Sequence, residues 1–293
     1  MITSGSPLIT PADLASSLGD HVILDIRSAV DGGGRAAFEV GHVPGAVHTD
    51  YVTGGWRVAR DGGAGMLPDA RQLGALLGGL GIQPDNRVVV APAGVSAGDF
   101  AAASRVYWTL KAAGHRAVAM LDGGTAAWVM AGLPVESGPG RTPEPAPAYP
   151  VVLDPSIRAT VAEVERSVAE GSATLLDTRN ASSFVGDEKS PLAARAGRIP
   201  GALHQEGARG FDPGSNRLKP RAELEQLFGH LPDGDAIAFC NSGQQAATNW
   251  FVLSEVLGRD KVRLYDGSMS EWTSDPARPV ETGPASGAAH AKR

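Results

Sequence analysis

Cysteine and surplus positive charge are both scarce in this chain. Cys240 is the single cysteine among 293 residues, which excludes an internal disulfide framework and a multi-cysteine metal site. Lys and Arg number 26 against 32 Asp and Glu, so the net charge is -6. We therefore expect no nucleic-acid partner and no attraction to an anionic membrane, because both need a basic surface.

Long apolar runs are also missing. No stretch reaches the roughly 18 apolar residues of a transmembrane helix, and residues 1–7 lack the basic and apolar regions of a signal peptide. These absences lead us to expect a cytoplasmic protein. The length of 293 residues fits two domains of about 100–200 residues, each long enough to bury a core.

An internal duplication divides the chain. Asp25 and Arg27 recur as Asp177 and Arg179, and longer motifs recur in the same order. The matching segments are residues 24–27 with 176–179, 41–46 with 197–202, and 121–124 with 265–268, the last pair being followed by Trp128 and Trp272. Several ordered matches favour duplication over the chance recurrence of one turn motif.

Prolines concentrate between the two copies, and so many prolines favour an extended linker over a helix or a central strand. They are Pro139, Pro143, Pro145, Pro147, Pro150 and Pro155. We therefore predict a domain over residues 1–138, a linker over 139–155, a second domain over 156–283 and a flexible tail over 284–293.

Short apolar runs alternate with amphipathic stretches in each copy, and continuous apolar runs are typical of parallel strands covered on both faces. The predicted strands include residues 22–24, 88–90, 118–121, 174–176, 236–239 and 262–265. We predict helices that begin after Thr10 and that cover residues 70–80, 101–113 and 246–257. The alternation predicts an α/β fold in each copy, with a parallel sheet flanked by helices.

Cys240 lies between a predicted strand and a predicted helix. A short loop of small and polar residues separates them: Asn241, Ser242, Gly243, Gln244 and Gln245. In such a loop successive backbone N–H groups converge on one point, and the helix dipole adds positive charge, so an anion is favoured there. A lone cysteine is most often a small buried side chain, but this context favours a reactive thiolate.

The residues around Cys240 limit its chemistry. A tyrosine phosphatase needs an Arg six residues after the cysteine, and Ala246 occupies that position. A papain-like hydrolase needs a His base, and neither His204 nor His230 lies in a recognisable motif. Attack of the thiolate on a sulfur donor needs neither a base nor a metal, since backbone N–H groups can hold the resulting persulfide.

Taken together, these motifs resemble the tandem form of the rhodanese family of sulfurtransferases over residues 8–282. The resemblance is carried by residues 24–27 and 41–46, by residues 66–68, and by residues 266–268 with Trp272. It implies two domains, each a parallel sheet flanked by helices, with the catalytic cysteine only in the second, at Cys240. Aligning residues 102–103 with residues 246–247 places Ser96 nearly opposite Cys240, so the first copy lacks the nucleophile and is expected to be inactive.

The resemblance to thiosulfate-specific members is incomplete. Those members carry basic residues directly after the cysteine, where this chain has Asn241 and Ser242. They also use two Arg residues four positions apart, of which Arg179 matches the first while Ser183 occupies the second. Recognition of an anion therefore relies on fewer cations than in that subtype.

The resemblance to mercaptopyruvate-specific members is also incomplete. Their neutral loop is similar at Ser242 and Gly243 but differs at Gln244 and Gln245. They carry a His just before the Met-Leu-Pro stretch, where this chain has Gly65. The sequence therefore leaves thiosulfate and 3-mercaptopyruvate open as sulfur donors.

From these residues and the family resemblance we predict a sulfurtransferase with a ping-pong mechanism. Cys240 takes the outer sulfur from the donor, and a thiophilic acceptor such as cyanide, a thiol or thioredoxin removes it. The binding residues are Arg179 for the donor's anionic end and the backbone N–H groups of the loop, and no cofactor or metal is implied. The alternative is a non-catalytic rhodanese-like binding or regulatory module, against which the retained cysteine and its small-residue loop argue.

Several other polar and aromatic residues have a structural interpretation. Arg179 and Asp177 can form an ion pair at a strand end, and the same pair in the inactive copy favours that interpretation. Arg195 and Arg198 either guide an anionic donor or lie in a solvated loop, which we favour. We expect Trp128 and Trp272 to pack the last helix of each copy onto its sheet.

Overall fold

The computed structural model describes residues 6–144 and 146–284, and the chain divides into two compact units. Unit 1 takes the residues up to Arg57 together with Leu67–Asp154 and Phe211–Lys219. Unit 2 takes Val58–Met66, Pro155–Gly210 and the residues from Pro220 onward. The predicted tail lies outside the described residues from position 285.

The described part of the first copy contributes seven strands and five α-helices. The strands are β1 (Leu8–Ile9), β2 (His21–Asp25), β3 (Val47–His48), β4 (Val58–Arg60), β5 (Gly63–Met66), β6 (Arg87–Ala91) and β7 (Val118–Leu121). The helices are α1 (Pro11–Ala15), α2 (Gly34–Val40), α3 (Ala70–Gly79), α4 (Ala97–Ala112) and α5 (Gly124–Met130), with a 3-10 turn at Leu18–Asp20.

The second copy repeats this order from the second strand onward, without a strand equivalent to β1 among the described residues. Its strands are β8 (Thr174–Asp177), β9 (Leu203–His204), β10 (Phe211–Asp212), β11 (Arg217–Leu218), β12 (Ala236–Phe239) and β13 (Val262–Leu264). Its helices are α6 (Val161–Glu170), α7 (Ala181–Val185), α8 (Arg221–Phe228), α9 (Gln244–Trp250) and α10 (Ser268–Ser274), with 3-10 turns at Pro155–Ile157 and Gly207–Gly210 and a π-helix at Phe251–Val256.

A parallel sheet forms the centre of each unit. The strand order is β1-β7-β6-β2-β3 in unit 1 and β13-β12-β8-β9 in unit 2, and every neighbouring pair is parallel. Helices pack against both sheets, so the apolar strands are buried, as the continuous runs require. The predicted α/β fold is confirmed.

Each copy contains one antiparallel hairpin that belongs to the compact unit formed mainly by the other copy. The hairpin β4–β5 belongs to unit 2, and the hairpin β10–β11 belongs to unit 1. In unit 1 the ring of Phe211 lies 5.9 Å from that of Phe100. The hairpin β4–β5 reaches the loop that carries Cys240, as described below.

Equivalent contacts recur in the two copies. Trp128 and Trp272 are both buried and each donates its indole N–H to a backbone oxygen, of Pro134 and Pro279 respectively, at 2.7 Å. The prediction that the two tryptophans pack the last helix of each copy is confirmed. The same indole hydrogen bond in both copies agrees with the duplication.

The segment between the copies is extended and packed on unit 1. Tyr149 is buried, and its N–H donates to the backbone oxygen of Gly74 in α3 at 2.9 Å. A Cβ atom on Gly78 would lie only 2.4 Å from the backbone oxygen of Pro147. Glycines on this face of α3 therefore let the proline-rich segment approach the helix closely.

The predicted helices are present with some changes at their ends. Thr10 caps α1 as expected, since its side chain accepts the Asp13 N–H, and α3 matches the predicted range closely. Helix α4 begins at Ala97, four residues before the predicted start, because Ser96 caps it there. The predicted helix 246–257 is α9 followed directly by the π-helix. No helix among the described residues has the length and apolar character to cross a membrane.

Candidate active site

Cys240 follows directly on β12, at the carboxyl edge of the unit 2 sheet. Its side chain is 2% exposed, and Sγ accepts the N–H of Gly243 at 3.1 Å. Gly243 precedes the first turn of α9 with a φ of 78°, a left-handed conformation that glycine adopts without steric cost. The turn at Gly243 thus directs a backbone N–H at the sulfur.

The start of α10 holds the backbone of Cys240. The N–H of Cys240 donates to Oγ of Ser268 at 3.0 Å, and Met269 donates its N–H to the oxygen of Cys240 at 3.0 Å. The next residue along, Ser270, donates its N–H to the oxygen of Asn241 at 3.0 Å. Sequence analysis assigned no role in the site to these three residues, although Ser268 ends the duplicated motif 265–268.

The hairpin β4–β5 lies against the same loop. A Cβ atom on Gly65 would lie 2.2 Å from the backbone oxygen of Ser242, closer than any side chain can be accommodated without displacing backbone. The N–H of Ala64 donates to Oγ of Ser270 at 3.0 Å. The loop in this position therefore leaves room only for a glycine at Gly65.

The other predicted loop residues lie around Cys240 at different depths. Ser242 is 7% exposed, Asn241 and Gln244 are half-buried, and Gln245 is exposed. Asn241 Oδ1 has no hydrogen-bond partner among the described residues. The loop carries no charged side chain, so backbone N–H groups and neutral side chains are what it offers to a ligand. The roles predicted for these residues stay predictions.

Arg179 is tied to its neighbours in the fold. It is 2% exposed, donates from two nitrogens to the Asp177 carboxylate at 2.9 Å and 2.6 Å, and donates to the backbone oxygen of Gly197 at 2.9 Å. In the first copy Arg27 and Asp25 form the same ion pair at 2.8 Å. This repetition favours a structural role for Arg179, while its predicted role in holding a donor stays a prediction.

The expectation of a solvated loop around Arg198 is wrong. Arg198 is 2% exposed, donates to the backbone oxygen of Gly283 at 2.7 Å and lies 3.3 Å from the Glu281 carboxylate. Arg195 is half-buried and donates to the backbone oxygens of Asp275 and Arg278, both at 2.8 Å. Both guanidinium groups bind the chain segment that follows α10, because backbone oxygens there supply the acceptors.

Strand pairing sets the exact correspondence between the two copies. Asp25 pairs with Ala91 in unit 1, and Asp177 pairs with Phe239 in unit 2. Since Asp25 and Asp177 are the matching residues of the duplicated motif, Ala91 corresponds to Phe239. The residue that follows Ala91, and not a residue further along, therefore occupies the position of Cys240.

The counterpart of Cys240 is thus Pro92, and the placement of Ser96 there is wrong. The error has a physical reason: matching Ala102 to Ala246 displaces the helices by three residues, because the third residue of α9 corresponds to Asp99 in α4. The loop before α4 is also one residue longer, with five residues against four, which gives the total shift of four. Pro92 has neither a thiol nor a backbone N–H. Ser96 instead caps α4, where Oγ accepts the N–H of Asp99 at 3.1 Å.

The corresponding loop of unit 1 encloses a carboxylate of its own. Asp99, the third residue of α4, is 1% exposed and accepts the N–H groups of Ala93 at 3.1 Å and Gly94 at 2.6 Å. The third residue of α9 is Ala246, which has no acceptor. Ala246 therefore cannot bind the N–H groups of its loop as Asp99 does in unit 1.

We expect Asp99 to make stability depend on pH. Burial raises the pKa of its carboxyl from 3.8 to about 6, although three backbone N–H groups oppose the rise. A group with a raised pKa in the folded state binds its proton more tightly there, so the free energy of unfolding falls as pH rises from about 4 to about 6, by up to about 3 kcal/mol. Urea unfolding across this range should show the fall in the wild type and a smaller one in Asp99→Asn. If the free energy of unfolding depends on pH in the same way in the wild type and in Asp99→Asn, Asp99 is not the group responsible.

No group of three or more His, Cys, Asp or Glu side chains within the described residues could hold a metal ion. The site consists of a buried thiol, a neutral loop and the start of two helices. Such a site can carry a nucleophile and stabilise an anion formed on it.

Comparison with known proteins gives two matches to one family model. The model described as a rhodanese-like domain matches residues 10–131 and again residues 160–275. The chain is 33% identical to a thiosulfate sulfurtransferase from Corynebacterium glutamicum, over 94% of this chain and 90% of that protein. It is 36% identical to a probable 3-mercaptopyruvate sulfurtransferase from Pseudomonas aeruginosa, over 96% and 99% of the two chains.

Solved structures give a matching result. The crystal structure of SseA, a 3-mercaptopyruvate sulfotransferase from Escherichia coli, aligns with a TM-score of 0.74 and 27% identity over 91% of this chain and all of the other. An anaerobic ergothioneine biosynthesis enzyme from Chlorobium limicola aligns with a TM-score of 0.81 over 95% of this chain and 70% of the other. With 21% identity, this likeness is one of fold alone.

Proposed function

This chain belongs to the rhodanese family and is a sulfurtransferase, and we propose that Cys240 is the residue that carries the sulfur. The observation that carries this proposal is the N–H of Gly243 directed at Sγ from 3.1 Å, within a loop free of charged side chains. A sulfur atom added to Sγ would place its negative charge among the N–H groups of the same turn.

In the first half-reaction the Cys240 thiolate attacks the outer sulfur of the donor. With thiosulfate the S–S bond breaks, its electron pair leaves with sulfite, and a Cys240 persulfide anion remains. With 3-mercaptopyruvate the C–S bond breaks, and the thiol proton of the donor ends on the methyl carbon of pyruvate. Backbone N–H groups of residues 241–245 stabilise the persulfide, and no cofactor takes part.

In the second half-reaction a thiophilic acceptor attacks the outer sulfur of the persulfide and restores the Cys240 thiolate. Cyanide gives thiocyanate, and a thiolate gives a new persulfide. We propose a protein or small-molecule thiol such as thioredoxin as the acceptor and the cytoplasm as the location, since thiols are kept reduced there. Cys240 is a free cysteine, which is the form that this cycle needs.

The neutral loop bears on the choice of donor. Relatives of both names match this chain at similar identity, and the guanidinium groups of Arg179 and Arg198 are engaged within the fold. We propose that either donor is accepted, with the donor's anionic end bound by backbone N–H groups and by Arg179. Steady-state rates with the two donors side by side, with cyanide as acceptor, test this. If the protein turns over neither thiosulfate nor 3-mercaptopyruvate, the proposal is wrong.

A cation in the loop should favour thiosulfate. Ser242→Lys adds a positive charge near the cysteine, and thiosulfate carries two negative charges close to the attacked sulfur. One partly solvated charge pair is worth about 1 kcal/mol, or roughly a fivefold fall in the KM for thiosulfate, with a smaller change for 3-mercaptopyruvate. The KM values should be measured at low, fixed salt because exposed charges are screened.

Gln245→Lys is the matched control for this experiment, since it adds the same charge at an exposed loop position. An equal fall in KM from both variants would show a long-range effect of net charge. An unchanged KM in Ser242→Lys would contradict the placement of the donor beside this loop.

We propose that the first copy contributes structure and no chemistry. The support is Pro92 at the position of Cys240 and the Asp99 carboxylate on the loop N–H groups. Ser96→Ala should change the transfer rate by less than about threefold, while loss of the α4 cap lowers the free energy of unfolding by about 1 kcal/mol. A hundredfold fall in rate would show that the first copy takes part in the reaction.

A further inference from the structure

The backbone of Cys240 is fixed at both of its polar atoms by consecutive residues of one turn. Oγ of Ser268 accepts the Cys240 N–H at 3.0 Å, and the N–H of Met269 donates to the Cys240 oxygen at 3.0 Å. Ser268 in turn donates its hydroxyl proton to the oxygen of Tyr265 at 2.8 Å. The hydroxyl is thereby oriented with a lone pair toward Cys240.

Ser268 occupies a backbone conformation that does not suit it. Its φ is 51°, in the left-handed region where a residue with a side chain is strained relative to glycine. The residue is fully buried, so the hydroxyl gains nothing from solvent. The corresponding residue of the first copy is Gly124, with a φ of 62°, as expected for this conformation.

The two copies differ at both partners of this contact together. Where the second copy has Cys240 and Ser268, the first has Pro92 and Gly124. Proline has no N–H that needs an acceptor, and its ring fixes φ near −65°; glycine has no hydroxyl to offer. The serine is therefore present in the copy where Cys240 has a backbone N–H and a rotatable φ. It is absent in the copy where the ring of Pro92 already fixes φ.

From this we infer that Ser268 is a positioning residue for the nucleophile: its hydroxyl fixes the peptide of Cys240 so that Sγ stays on the N–H of Gly243. The inference rests on the proposed role of Cys240. Because the hydroxyl is buried and binds only backbone atoms, it should affect the rate of sulfur loading and leave donor binding unchanged. A displacement of about 1 Å at a reacting atom is enough for a large loss in rate.

Two substitutions separate positioning from simple stability. Ser268→Ala removes the hydroxyl and keeps the strained conformation, whereas Ser268→Gly removes the hydroxyl and relieves the strain. Thr273→Val is the control, since Thr273 is a buried residue of the same helix whose hydroxyl donates to Met269 and accepts from Ala194. All three lose one buried hydrogen-bonding hydroxyl, but only the first two lose the contact with Cys240.

The measurement is single-turnover loading of sulfur from thiosulfate, followed by intact mass, together with the melting temperature. We expect both Ser268 variants to load at least about tenfold more slowly at saturating donor, with the half-saturating donor concentration changed by less than about twofold. Ser268→Gly should melt higher than Ser268→Ala yet load no faster. Thr273→Val should melt lower than the wild type and load at the wild-type rate.

Loading of Ser268→Gly at the wild-type rate would overturn the inference, because strain and not the hydroxyl would then explain any effect in Ser268→Ala. Slow loading of Thr273→Val to the same degree would also overturn it. Cys240→Ser distinguishes these results from failure of the proposed function. If Cys240→Ser gains sulfur as the wild type does, the proposed nucleophile is wrong, whatever the Ser268 variants do.

Discussion

Cys240→Ser should abolish sulfur transfer, with a fall in rate of at least about a thousandfold. A serine hydroxyl is almost entirely protonated at neutral pH and forms no persulfide. Oxygen replaces sulfur with little change in shape, so the hydroxyl can still accept the N–H of Gly243. Steady-state assays with thiosulfate and cyanide measure the effect.

The melting temperature is the control for Cys240→Ser, and we expect it within a few degrees of the wild-type value because one buried atom changes. A variant with an unchanged melting temperature and a rate above about 1% of wild type would contradict the proposed nucleophile. The chain has no other cysteine to take over the reaction.

Arg179→Ala should cause the largest loss of stability. The Asp177 carboxylate is fully buried and lies 2.6 Å from the guanidinium, so removal of Arg179 leaves a buried charge without its partner. Breaking a buried ion pair in this way costs about 3–5 kcal/mol. Urea unfolding measures the loss, and Arg27→Ala is the matched variant, since Arg27 makes the same contacts with Asp25 and Gly41 in unit 1.

The same pair of variants tests whether Arg179 also holds the donor. If it does, the KM for both donors should rise in Arg179→Ala and stay at the wild-type value in Arg27→Ala. A rise in KM with the free energy of unfolding within about 1 kcal/mol of wild type would contradict the structural role of the ion pair. A large loss of stability with no change in KM would remove Arg179 from the donor site.

Local sequence patterns were sufficient for the strands and the fold class. The runs at residues 88–90 and 236–239 are buried strands because they are apolar throughout, as a sheet covered on both faces requires. The start of α4 was predicted four residues late because Gly98 and Asp99 are poor helix formers, while the cap at Ser96 is what sets the start. The exchange of hairpins between units depends on contacts far apart in sequence and left no local pattern.

The site could be predicted in part. Cys240 and its loop are visible from the strand–loop–helix pattern, but Gly65 and Ser268 are brought to the loop by distant segments. A signal for Ser268 did exist, since the duplicated motif has Ser268 where the first copy has Gly124. Its link to Cys240 was missed because the alignment through the helices placed Ser96 opposite Cys240. With Pro92 in that place, the two copies differ at both partners of the contact.

The intact mass of the protein after incubation with a sulfur donor tests the central claim most directly. The wild type should gain one sulfur atom, about 32 Da, as a persulfide, and lose it again on addition of cyanide. Cys240→Ser should gain nothing under the same conditions. An unchanged mass of the wild type with both thiosulfate and 3-mercaptopyruvate, or an equal gain in Cys240→Ser, would contradict sulfur transfer through Cys240.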